Sequence, residues 1–133
     1  MCQKGARVVQ QEVLDVVDAM DLRVYAIWEP ILRNDSHKSA LQAPKLIPDA
    51  RVTHYWVDGR DVGGLFQKPI QLKREPAWDV YLVYASGVVW GDEVPVPDYF
   101  QHQLGGRLPK ELKLDGKVLA QRIQGMLTEA STR

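Results

Sequence analysis

Trp78-Asp-Val-Tyr-Leu-Val-Tyr-Ala-Ser-Gly-Val-Val-Trp90 is the stretch on which the fold turns. Val80 to Tyr84 are mostly β-branched or aromatic, the side chains that fit a pleated surface. Ala85-Ser86-Gly87 supplies a turn in which glycine can take a conformation closed to other residues. Val88-Val-Trp90 then reads as a returning strand, and a connection this short makes the pair antiparallel.

Upstream, Leu22-Arg-Val-Tyr-Ala-Ile-Trp28 is a continuous β-forming run that Pro30 ends, as expected of a strand buried on both faces. Ahead of it, Ala6 to Met20 carries Val9, Val13, Val16, Val17 and Met20 at helical spacing, which predicts an amphipathic helix. Between the strand and the hairpin, 31–48 reads as a surface loop with one helical turn. Asp49 can cap a short helix through Val57, with Val52, Tyr55 and Trp56 on one side. A second short helix is expected over Val62 to Gln71. Downstream, Gly91 to Pro109 reads as irregular with a helical turn at Asp98–Leu104, and Leu114 to Thr128 repeats the amphipathic pattern through Val118, Leu119, Ile123, Met126 and Leu127. This order predicts one domain over residues 1–133, an α/β sandwich with a mixed sheet.

Composition narrows the function classes. Lys+Arg and Asp+Glu number 17 each among 133 residues, so no net field draws the chain to a polyanion, and nucleic acid is not an expected partner. No apolar run approaches the roughly 20 residues that span a bilayer, and the N-terminus lacks a secretory signal pattern, so no membrane contact and a cytoplasmic location are expected. Cys2 is the one cysteine, which excludes an intrachain disulfide or a thiolate cluster.

The residues resemble a known family. Cys2-Gln-Lys-Gly-Ala-Arg-Val-Val-Gln-Gln-Glu resembles the stretch that begins at the second cysteine of a thioredoxin Cys-x-x-Cys pair. Helix, parallel strand, antiparallel hairpin and closing helix follow in thioredoxin order. Val24–Pro30, Arg51–Trp56 and Trp78–Tyr84 are similar to stretches of a group of uncharacterised bacterial thioredoxin-like proteins. The resemblance implies a thioredoxin-like sandwich that is incomplete at the N-terminus, lacking the first strand and the first cysteine. It also implies that Asp79 stands where thioredoxins carry a cis-proline, eight residues before Gly87, with Pro76 three residues too early. A carboxylate there opposes a nearby thiolate. Either a rearranged sheet or a partner chain covering the exposed sheet edge, in a homodimer, would compensate for the absent strand.

Two functions are weighed on these grounds. The first is a non-catalytic binding or interaction module, its cleft formed by Trp28, Glu29, Pro30, Trp78 and Asp79, for a small molecule or a protein partner. The second is a single-cysteine thiol enzyme in which Cys2, ahead of a helix N-terminus, serves monothiol exchange or peroxide reduction. Neither needs a cofactor. His37, His54 and His102 lack the spacing that sets two metal ligands on one face, so no metal is expected. Adjacent Asp35-Ser36-His37 cannot form a catalytic relay, which needs groups from separate elements.

Overall fold

The computed structural model describes residues 3–31, 36–74 and 76–132. Helix α1 spans Gln3–Val8 and continues as a wider π-helical segment, Val9–Leu14, closed by the Asp15 N–H donating to the Gln10 carbonyl at 2.9 Å. Strand β1 is Val24–Trp28, and β2 is Val52–Trp56. Short helices α2, His37–Ala40, and α3, Asp61–Leu65, flank β2 in the chain. Strands β3, Val80–Val83, and β4, Tyr99–His102, precede the closing helix α4, Gly116–Ser131. No described helix is long and apolar enough to cross a membrane.

The strands form two separate pairs. β1 and β2 are parallel, Val24 opposite Val52, and β3 and β4 are antiparallel, Val80 opposite His102. The mixed α/β character expected from the sequence is present, with the parallel and antiparallel parts in different ladders. Two assignments are corrected. Val52–Trp56 is a strand rather than part of a helix: its side chains alternate between half-buried and exposed, the period of two that a sheet imposes. The returning strand of the hairpin is Tyr99–His102, which also replaces the helical turn expected over Asp98–Leu104, while Val88, Val89 and Trp90 lie in the connection. Trp90 packs its ring on Tyr84 and Phe66, at centroid separations of 5.1 and 6.1 Å. The Tyr84 hydroxyl donates to the Pro95 carbonyl, and Asp98 accepts from the Ala85 N–H.

One helix serves both pairs. Ala6, Val9 and Leu14 pack with Val24, Trp28 and Val52, whereas Val13 and Val17 pack with Tyr81, Val83 and Tyr99 and with Leu119, Ala120 and Ile123 of α4. Val16 and Met20, expected on the buried stripe, are exposed, because the helix ends at Leu14 and the helical spacing is lost beyond it, although Val17 still turns into the core. On the other side of β3 and β4, Val80, Leu82 and Phe100 pack against Ile70, Leu72, Leu104 and Leu108. α4 begins at Asp115, whose side chain caps the Val118 N–H.

Arg51 closes the C-terminal end of the first helical segment. Its guanidinium donates to the carbonyls of Leu14 at 2.6 Å, Val17 at 2.5 Å and Ala19 at 3.3 Å, and pairs with Asp49 at 2.7 Å. Carbonyls left unpaired at a helix end attract a cation, and the planar fork reaches several at once. The Asp49 carboxyl is held down at about 2, chiefly by its hydrogen bond to Arg51.

Candidate functional site

The cleft expected from the sequence divides between two places. Trp28, last in β1, turns towards β2: its Nε1–H donates to His54 Nδ1 at 3.1 Å, and the two rings lie within 13° of parallel. His54 Nδ1 is therefore an acceptor, so Nε2 carries the proton and donates to the Ile47 carbonyl at 3.2 Å. Trp28 and His54 help to line a cavity of about 230 Å³ at the β2 edge, together with His37, Leu41, Pro44 and Trp56. His37 stacks on Trp56 at 5.7 Å. Trp78 belongs elsewhere, packed half-buried against the cluster of Ile70, Leu72, Ala77, Leu104 and Leu108.

Glu29 approaches the entrance to β3 through Gly63. The Gly63 N–H donates to Glu29 Oε1 at 2.8 Å, and the Gly63 carbonyl accepts from the Ala77 N–H at 2.8 Å. Glycine is required at this junction, since a Cβ would stand 2.6 Å from the Ala77 carbonyl oxygen and 2.9 Å from both Glu29 Oε2 and Pro76 Cβ. Arg60 reinforces it by donating to the carbonyls of Pro30 and Ile31. Burial pushes the Glu29 carboxyl upward, the Gly63 N–H partly offsets this, and Asp61 adds a smaller upward push. Asp79, two residues past Ala77, has a left-handed backbone with φ of 50° and offers its carbonyl to the Gln103 N–H. A non-glycine residue in that region is a strained choice, least so for Asp and Asn.

Cys2 lies outside the described residues. Among the described residues, no three His, Cys, Asp or Glu side chains come close enough to hold a metal ion. His102 is on β4, where Asp98 four residues earlier is not its neighbour; Asp98 faces Ala85 instead. His102 is fully buried, accepting from the Leu104 N–H at 3.0 Å and donating to the Pro109 carbonyl at 2.8 Å. Next to it Gln101, equally buried, accepts from the Asp115 N–H and donates to the Tyr99 hydroxyl. Both side chains satisfy the backbone of 103–115. In sequence they read only as polar residues inside a predicted turn.

A surface not anticipated from the sequence lies on β1 and β2. Tyr25, Ile27 and Tyr55 are 64%, 44% and 50% exposed, and the tyrosine rings stand 6.4 Å apart. Their alternation with Val24, Trp28 and Val52 puts them on the sheet face opposite α1. Comparison with protein-family models, with curated proteins and with solved structures found no match to the chain.

Proposed function

We propose that the protein is a non-catalytic interaction module of thioredoxin-like layout that self-associates as a homodimer through the outer face of β1 and β2. The observation that carries this reading is the apolar patch of Tyr25, Ile27 and Tyr55 on a strand pair whose other face is already filled by α1. Large exposed aromatic and aliphatic side chains gathered on one face mark interaction surfaces more often than scattered ones do. A two-fold axis would set each patch against its copy, an isologous contact that needs no second binding surface. The thioredoxin-like layout is supported by the order of helix, parallel strand, antiparallel pair and closing helix. A non-catalytic role is supported by the resemblance, which puts Asp79 where thioredoxins carry a cis-proline and so sets a carboxylate against a nearby thiolate.

Sedimentation equilibrium tests it. The chain is expected to run as a dimer at micromolar concentration, and Tyr25→Lys with Tyr55→Lys is expected to give a folded monomer. A wild-type monomer across this range overturns the reading.

A further inference from the structure

Two main-chain groups of β2 stand at the cavity without a partner. The Val24 N–H donates to the Arg51 carbonyl at 3.1 Å, and the Trp28 carbonyl accepts from the Val57 N–H at 3.0 Å. In a parallel pair bonded this way, Thr53 and Tyr55 direct their N–H and C=O groups to β1, and His54 and Trp56 direct theirs to the opposite edge. Among the described residues β1 is the one strand paired with β2, and none hydrogen-bonds the His54 carbonyl or the Trp56 main-chain N–H. His54, Tyr55 and Trp56 all line the cavity. Consecutive side chains alternate between the faces of a strand, so the wall these three share is the strand's edge.

The opposite wall comes from the 37–44 segment: His37, stacked on Trp56 at 5.7 Å, the exposed Leu41, and Pro44. Ile47, held to His54 Nε2, keeps this segment alongside the edge. The space between is about 230 Å³. It exceeds the roughly 150 Å³ that admits one benzene ring and falls short of the several hundred of a drug-sized pocket, so one fused bicyclic ring is the size it takes. No lysine, arginine, aspartate or glutamate is among the described residues that line it. The Trp28 indole N–H and both His54 nitrogens are already engaged, so the two main-chain groups set the polar pattern at the edge.

We infer that this cavity binds an aminopurine, as the free base or its nucleoside, by the amino edge of the ring. In a parallel sheet, a carbonyl and the N–H two residues on take the N–H and C=O of one facing residue. The same acceptor and donor match a flat ring with an exocyclic amino group next to an unprotonated ring nitrogen. The amino group donates to the His54 carbonyl, and the ring nitrogen accepts from the Trp56 N–H. Aromatic side chains are surfaces on which bases stack, and Trp28 and Trp56 both line the cavity. The volume selects the fused purine over a single aminopyrimidine ring. A hydrocarbon of equal size leaves both main-chain groups unpaired, which binding sites of this kind reject. An added strand is blocked by the 37–47 segment along the edge. With no lysine or arginine on the described wall, recognition is confined to the base and a phosphate adds nothing. The cavity lies at the edge of β2, away from the outer face, so the inference goes beyond the homodimer reading.

The test is titration of the full chain with adenosine, inosine and AMP, followed through the amide proton resonances. Adenosine is expected to saturate with a Kd below about 1 mM and to move the Trp56 amide proton downfield. Inosine, in which the two edge atoms exchange donor and acceptor roles, is expected to bind at least tenfold more weakly. AMP is expected to bind no more tightly than adenosine. Leu41→Trp, at an exposed position of the wall, fills the cavity and is expected to weaken adenosine at least tenfold while the protein stays folded. Failure of adenosine to saturate, equal affinity for inosine, or saturation without a Trp56 shift each overturns the inference. So does tighter binding of AMP, which would put a phosphate site in control, and so does undiminished adenosine binding by folded Leu41→Trp. Sedimentation of the ligand-free protein reads the homodimer separately, so either reading can fail while the other stands.

Discussion

At the scale of single residues, two carboxylates respond to acid in opposite senses. Asp49 is held at about 2 by Arg51, well below its ordinary 3.8. A group whose carboxyl is lowered on folding contributes stability that is present above its unfolded value and disappears as pH falls through the folded one. Wild type should therefore unfold at higher denaturant than Asp49→Asn at pH 6, and the difference should close between about pH 4 and pH 2; a constant gap across that range would refute the assignment. Glu29 is raised by burial, so its titration favours the folded state below its ordinary value and withdraws that support as pH rises. The two junctions they belong to, at the end of the first helix and at Gly63, should loosen at opposite ends of the pH scale.

At the scale of elements, α3 depends on which of two adjacent glycines is considered. Gly63 faces Ala77, Glu29 and Pro76, whereas nothing lies within 4 Å of the position a Cβ would take on Gly64. Gly63→Ala is expected to cost about 1–3 kcal/mol by overpacking, and Gly64→Ala to be neutral or to gain up to about 1 kcal/mol from helix propensity, both read from urea midpoints. The same contrast explains what could be read from the sequence. The helical pattern around Val9 and Val13, the strand Val24–Trp28 and α4 were legible because their apolar spacing agrees with their local propensity. Val52-Thr-His-Tyr-Trp56 was not, because Val52, Tyr55 and Trp56 satisfy helical spacing while every second side chain also alternates, and only the neighbouring strand decides between them. The partner of β3 was misplaced for a related reason. Val88-Val-Trp90 has the stronger β composition, but Trp90 is drawn onto Tyr84 and Phe66, and the pairing passes to Tyr99–His102, whose buried Gln101 and His102 carry no apolar signal. Of the residues expected to line one cleft, Trp28 turns to His54, since a ring at a strand end can turn to either side and His54 offers it an acceptor, while Glu29 meets Gly63 beside Ala77.

For the whole molecule, cohesion between the two strand pairs runs through shared apolar side chains rather than through a continuous ladder. Leu22 is the clearest instance, packed both with the cluster of Val24, Trp28 and Val52 and with that of Val13, Val17 and Tyr81. Leu22→Ala should lower stability by about 2 kcal/mol, and far-ultraviolet circular dichroism and tryptophan fluorescence should still report a single transition. Divergence of the two probes would show that each pair melts by itself.

The connection over 84–98 governs the timing of assembly. β4 cannot reach β3 through a tight turn, and β2 reaches β1 only after 29–51 has been traversed, so both ladders require distant parts of the chain to meet before any pairing is rewarded. The helical segment 3–14 and α4 need only local contacts. The first collapsed species should therefore be helical and strand-poor, with the tryptophans of β1 and the 84–98 segment reaching their final surroundings late.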